Sequence, residues 1–257
     1  MNFIDYTEGF MPAYRIDNRE SNLQFFRDVL GMKVLLEEGA LVSLGGCDEH
    51  ETRFFIEESP DARAIEGLKK HKYTHILANK DEVAQLVIRN FHRFAKIYQS
   101  SEGYAFQALS PEHDLFWISS ERDLNNLSEI DKSKLDIEVQ ADFVGLTDFS
   151  IAEIAINYSD KNIIDSYQNL FPQWFKNDKL EFPFGTLTFS EEKGEDLSAP
   201  MDQTFDLEFF LFQVNQECQL EQLKSDYKNY SEFYLDNRNN NLSFEVANHL
   251  QFWINKN

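Results

Sequence analysis

Basic residues are scarce in this chain. Its 257 residues hold 24 Lys and Arg against 45 Asp and Glu, a formal net charge of −21. Such a chain repels phosphate backbones, so nucleic acid is excluded as a partner. It repels an anionic membrane surface for the same reason. Cysteine is nearly missing too, with only Cys47 and Cys218, far apart. Two thiols make no disulfide framework and suit a reducing compartment. No hydrophobic run reaches the length of a membrane span, and Met1 to Arg15 contains Asp5 and Glu8 but no apolar core of signal-peptide length. A cytoplasmic location is the expectation. Several catalytic signatures are also absent. His50-Glu51 is followed by Phe54 where H-E-x-x-H needs its second His, and neither G-x-S-x-G nor D-T-G occurs.

Apolar residues are not lacking. Hydrophobic side chains make up 42% of the chain and 24 residues are Phe, ample for a packed core, so disorder is excluded. The stretch FFRDVLGMKVLLEEGALVSLGG, Phe25 to Gly46, shows how that material is arranged. Asp17 and Asn18 are helix-start residues, and Leu23, Phe26 and Leu30 follow at helical spacing. Gly31 stands where a left-handed cap would end that helix. Lys33 to Glu37 and Leu41 to Leu44 then read as strands turning at Gly39. His50 to Glu57 reads as a third, and Pro12 to Ile16 as a strand before the helix. The unit is β-α-β-β-β.

The order repeats. Tyr73 to Ala78, a helix capped at Asp81 and strands over Phe94 to Gln99, Tyr104 to Leu109 and Asp114 to Ser119 make a second unit. Glu121 to Asp142 is a polar connector. Ile151 to Tyr158, a helix over Ile163 to Leu170 and strand material in Phe182 to Ser190 follow, then the acidic loop Glu191 to Asp202. Phe205 to Val214, a helix marked by Leu220, Leu223 and Tyr227, and three closing strands finish the chain. His113 to Ile118 (HDLFWI) parallels His249 to Ile254 (HLQFWI). Both end a half, so the short match agrees with the repeated element order. An α+β fold of four such modules is expected, in two domains spanning 1–125 and 143–257.

The segments FFRDVLGMKV, THILANKDEVAQL and SPEHDLFWI resemble, in turn, a helix-to-strand junction, a second-module opening and a last hairpin of the vicinal oxygen chelate (glyoxalase-like) superfamily. The chain as a whole resembles the streptococcal C3-degrading proteinase family. That likeness implies a hydrolase linked to virulence, complement C3 as partner and a surface or extracellular role. The superfamily likeness implies two tandem glyoxalase-like domains whose curved sheets form open cups. In its enzymes a divalent metal is held by His, Gln or Glu from first strands and Glu from last strands.

Transferred residue by residue, that pattern is only partly filled. His75 falls on the first-strand position of module two, and Trp117 stands where its last strand wants Glu. Module one offers Met11, or Tyr14 in a slipped register, with Glu57 as a last-strand candidate. In the second half Glu153 is on a first strand, Glu208 is near its partner position and Trp253 again replaces the carboxylate. Two surviving ligands fall short of the three that a catalytic metal usually takes, so no metal and no cofactor is expected. His75, Glu57 and Trp117 are instead candidates for a ligand site. Cys47 and His50 form the one local nucleophile-and-base pair, but Asp48 and Glu49 beside them would raise the thiol pKa. The aromatic runs EFPFGTLTF and LEFFLFQV are core material. Left exposed, they would argue for a protein partner or a homodimer. Three function classes remain: the proteinase, a non-catalytic binding module and a metal-dependent glyoxalase- or dioxygenase-like enzyme.

Overall fold

A computed structural model describes residues 2–48 and 50–256. The first module comprises β1 (Thr7–Ile16), α1 (Arg19–Gln24), a π-helical turn (Phe25–Val29), β2 (Lys33–Glu38), β3 (Leu41–Gly45) and β4 (Phe54–Glu58). The second comprises β5 (His71–Ala78), α2 (Lys80–Arg89), β6 (Ile97–Ser100), β7 (Gly103–Leu109) and β8 (Leu115–Ser119). The connector adds a short strand, β9 (Ser128–Ile130). The third module has β10 (Phe149–Tyr158), α3 (Lys161–Leu170), β11 (Phe175–Lys176), β12 (Lys179–Phe182) and β13 (Gly185–Glu191). The fourth has β14 (Leu207–Val214), α4 (Leu220–Tyr227), β15 (Ser231–Leu235), β16 (Asn241–Glu245) and β17 (Gln251–Lys256). The α+β architecture of four modules is therefore present, and no helix among the described residues is long and apolar enough to cross a membrane.

Local chemistry sets these boundaries. The Asn18 side chain accepts from the Ser21 N–H at 2.9 Å and starts α1. Asn79, not Asp81, caps α2, accepting from the Asp81 N–H at 2.9 Å. Gly31 has φ +74°, and a Cβ there would stand 2.9 Å from a methyl of Leu86. At Gly46 a Cβ would lie 2.2 Å from the Thr147 carbonyl oxygen, because the chain entering β10 runs against the end of β3. The glycines punctuating the opening stretch thus end the helix and admit a neighbouring backbone. His50 lies before β4, which begins only at Phe54.

The strands assemble across the halves of the chain. One sheet has eight strands in the order β15-β16-β17-β14-β1-β4-β3-β2, and so joins module four to module one. The other has nine, β11-β12-β13-β10-β5-β8-β7-β6-β9, and joins module three to module two. Segments 1–125 and 143–257 therefore each contribute to both sheets. Two crossovers make this happen. Residues 59–70 carry the chain from the first sheet to the second, and residues 192–206 carry it back. They lie side by side, bridged at Arg63 and Thr204. Arg63 grips Asp196 through two hydrogen bonds of 2.9 and 2.7 Å. The Asp206 carboxylate accepts from the N–H groups of Lys70 and His71. The backs of the two sheets share one apolar core, in which Tyr14, Phe54, Phe116 and Phe149 meet. The opposite, concave faces are the two cups.

Candidate functional site

In the second cup a row of side chains crosses four adjacent strands. Trp117 on β8 lies opposite His75 on β5, His75 opposite Glu153 on β10, and Glu153 opposite Thr186 on β13. Strand residues alternate faces, so Thr74 and Ile76 are fully buried on the core side. His75 is itself only 1% exposed. Its Nε2 is 2.7 Å from the Ser119 hydroxyl, which donates to the Glu121 carbonyl at 2.6 Å. The Ser119 proton is therefore committed, and His75 must donate from Nε2. Burial pushes the imidazole pKa down to about 4, against a smaller upward pull from Glu153. Glu153 accepts hydrogen bonds from the hydroxyls of Tyr73 and Thr188. Trp117 packs against Tyr98, ring centroids 4.9 Å apart.

The equivalent row of the first cup has different chemistry. Trp253 on β17 lies opposite Leu211 on β14, and Leu211 opposite Met11 on β1. Tyr14, the slipped-register alternative, faces the core. Beside this row the floor is aromatic. Phe209 stacks on Trp253 at 4.8 Å and 18°, and Phe55 lies 6.2 Å from Phe209. At one end a cavity of about 390 Å³ is lined by Met11, His50, Phe55, Leu211 and Lys256 among others. At the other end three charged groups meet. Arg15 pairs with Glu57 in the β1–β4 register, and its guanidinium forms a salt bridge with Glu208. Burial raises the Glu208 pKa. Arg15 opposes that rise, and Glu57, within hydrogen-bond reach, adds to it.

The expected grouping of His75, Trp117 and Glu57 is thus only half realised. His75 and Trp117 are lateral neighbours. Glu57 is in the other sheet, because β4 pairs with β1 and the crossover after it carries the chain away before β5 begins. Glu208 is not at the position matching His75, which Leu211 occupies. Glu208 bulges out of the β1–β14 ladder, between the pairs Ala13–Phe209 and Tyr14–Leu207. Cys47 and His50 do not act together either. The thiol lies against Gly145, whose Cβ, were there one, would be 3.0 Å from Sγ, while His50 lines the first cup. Burial is the main cause that pushes the Cys47 thiol pKa up, which keeps it protonated.

A metal does not fit these residues. Among the described residues no three His, Cys, Asp or Glu side chains converge as a metal cluster. In the second cup Nε2 of His75 is a donor, Glu153 is engaged by two hydroxyls and Trp117 offers no lone pair. In the first cup Met11 and Leu211 replace oxygen and nitrogen ligands. A residue set of hydrolytic type does occur elsewhere. Asp114 lies 2.9 Å from His71 Nδ1, and His71 Nε2 lies 2.9 Å from the Thr74 hydroxyl. Thr74 is fully buried, and its hydroxyl also meets Tyr14 at 2.5 Å. Against the effect of burial, Lys69 and His71 hold the Asp114 carboxyl below its usual range. This relay joins the two sheets from inside and is closed to any substrate. The sequence signal for it was slight, a polar His-x-x-Thr at the start of an apolar strand.

The CppA N-terminal family matches residues 10–130 and the CppA C-terminal family residues 146–254. The chain belongs to the CppA family. The cppA protein of Streptococcus pneumoniae TIGR4 superposes with a TM-score of 0.79 at 23% identity, covering 98% of this chain and 99% of that one. A candidate dioxygenase of Bacillus subtilis gives 0.62 at 13% identity, over 98% of this chain and 86% of that one. Glyoxalase I of Zea mays gives 0.53 at 12% identity, over 96% and 91%. At these identities the likeness is one of fold, and it makes the glyoxalase-like architecture plain. No curated protein matches the chain.

Proposed function

We propose that this CppA-family chain is a binding protein on a glyoxalase-like fold, whose concave faces engage a partner instead of a catalytic metal. The observation that carries this reading is the pair of cross-strand rows. Met11, Leu211 and Trp253 in one cup, and Trp117 beside a donor-committed His75 in the other, are unsuited to metal coordination, and Trp253 stands 38% exposed for contact. Aromatic side chains on an open sheet face supply large contact area at low entropic cost. The partner that the family resemblance implies is complement C3, and a role at or outside the cell surface would follow from it. The proteolytic activity that the same resemblance implies is the rival outcome. The Asp114–His71–Thr74 set is buried and the Cys47 thiol stays protonated, so neither supports it.

Highly purified protein immobilised on a sensor and exposed to C3 tests the proposal, with C3 analysed in parallel by denaturing electrophoresis and the protein by elemental mass spectrometry. Saturable binding, intact C3 chains and no stoichiometric transition metal are expected. C3 fragments that appear with purified wild-type protein would overturn the non-catalytic reading. So would one equivalent of metal that is lost in His75→Ala.

A further inference from the structure

The helix α2 ends at Arg89, and the chain does not enter β6 at once. A turn follows, in which the Arg93 N–H donates to the Asn90 carbonyl at 2.7 Å. β6 begins only at Ile97, opposite Phe106, so Gln107 to Leu109 at the end of β7 have no strand beside them on that edge. A cavity of about 520 Å³ opens there. Its inner wall is apolar. Phe25 and Val29 come from the π-helical turn, in which the Leu30 N–H reaches back five residues to the Phe25 carbonyl at 3.2 Å. Phe94, stacked on Phe106 with ring centroids 4.2 Å apart, and Ala108 continue the wall. Leu109, 57% exposed, stands at the mouth.

Two polar side chains join this lining, Arg93 and Gln107. Among the described residues neither makes a side-chain hydrogen bond or an ion pair. The charges nearby are engaged elsewhere. Asp28 feels the charge of Arg93 but is hydrogen-bonded to Arg27 at 2.8 Å, and Lys96 pairs with Glu129 at 2.7 Å. In a chain of net charge −21, the charged residue that lines this cavity is thus a guanidinium with no carboxylate bonded to it. Apolar walls with a few placed polar groups are the composition of a small-molecule site, and the volume falls within the usual range of about 300–1,000 Å³. The overall charge opposes an anion from a distance. Screening limits that field to about 8 Å at physiological ionic strength, so contact with Arg93 decides.

We infer that this cavity binds a small carboxylic acid with an aliphatic tail, the carboxylate on Arg93 and Gln107 and the tail along Phe25, Val29 and Phe94. The planar fork of a guanidinium takes a carboxylate through two parallel hydrogen bonds, and the Gln107 amide supplies a further donor. The tail meets no other polar side chain, so a substituent that needs hydrogen bonds would lose them on entry, whereas each buried methylene adds affinity. None of His75, Trp117 and Glu57 lines the cavity. The inference therefore goes beyond the partner-binding reading of the cups and stands or falls without it.

The test uses octanoate and octanamide, which match in length and shape and differ in charge. Each is titrated calorimetrically into the full chain at pH 7. Octanoate should bind saturably and at least about tenfold more tightly than octanamide, as a charge-assisted bidentate pair would give. Arg93→Gln should abolish that preference. Lys228→Gln, the same charge change at an exposed position in module four, should leave it intact. Ala95 is exposed and lines the cavity, so Ala95→Trp should fill the space and weaken both ligands. Circular dichroism of each variant reports its folding. Equal affinities for wild type, no saturable octanoate binding, or a preference that survives Arg93→Gln overturns the inference. So does octanoate binding to folded Ala95→Trp as tight as to wild type, which would put the acid elsewhere on the chain.

Discussion

The two cups have one topology and opposite contents. Each is a sheet from two modules, with a Trp that follows Phe and stands one residue before the end of the repeated six-residue segment. In the second cup the central row is polar and internally satisfied. His75, Ser119 and Glu121 form one hydrogen-bonded chain, and Tyr73, Glu153 and Thr188 form another. In the first cup the same row is apolar, and the polar groups have moved to one end, where a carboxylate oxygen and a guanidinium nitrogen are left over. Satisfied groups hold a sheet together, whereas unsatisfied ones cost it stability. With Trp253 38% exposed, the first cup, and not the one with the surviving His, is the better candidate for recognition.

The comparison breaks most completely if the halves are separated. Segments 1–125 and 143–257, produced apart, should each lack sheet structure by circular dichroism, since neither can complete a cup. Mixed from denaturant, they should regain it and elute together on gel filtration. A stable, monomeric half would mean that its modules can pair with each other, contrary to the observed strand order. Next in size is Arg15. Arg15→Ala leaves two neighbouring carboxyls with no counter-charge, and should cost about 3–5 kcal/mol in urea unfolding. Glu208→Gln added to it should recover most of that loss. Glu153→Gln in the second cup keeps both hydroxyl partners and should cost less, about 1 kcal/mol. Equal costs would erase the distinction drawn between the cups.

The second cup also carries a pH response, at His75. Its folded pKa, about 4, lies below the ordinary imidazole value of 6.5 because the ring is buried. The unfolded chain therefore binds the proton first, and the stabilising contribution, complete above pH 6.5, is lost as pH falls towards 4. Over that window the loss should reach about 3 kcal/mol. His75→Gln should lower stability at pH 7 but flatten the slope. An unchanged slope would mean that His75 is protonated in the folded cup.

Much of this was legible in the sequence because it is local. Asn18 and Gly31 bracket the first helix, and the alternation Phe54-Phe55-Ile56-Glu57 fixes which side chains enter the cup. The HDLFWI and HLQFWI repeat also has a local cause. His113 and His249 both adopt positive φ, 66° and 60°, and turn the chain into strands that present Trp117 and Trp253 to the cups. What was not legible is which modules share a sheet. Periodicity says which face of a strand is buried but not which strand, some 200 residues away, lies beside it, as Leu211 lies beside Met11. The Arg15–Glu208 pair depends on that contact and on a bulge. Its only trace was one charge of each sign inside otherwise apolar strands, MPAYRI and LEFFLF.

The crossovers clamped at Arg63 and Asp196 have a consequence for how the protein is made. Strand partners are nested like brackets, with module two closing on module three inside the pair formed by modules one and four. As the chain leaves the ribosome, the inner sheet can be completed while the outer one still waits. β1 keeps an open edge, with Phe10, Met11 and Tyr14 on it, until β14 has been synthesised. Contacts so distant in sequence form slowly, and an unpaired apolar edge invites other chains in the meantime. The clamp between the crossovers shortens that wait, because it sets the start of β14 beside the end of β1 as soon as Asp206 reaches Lys70 and His71.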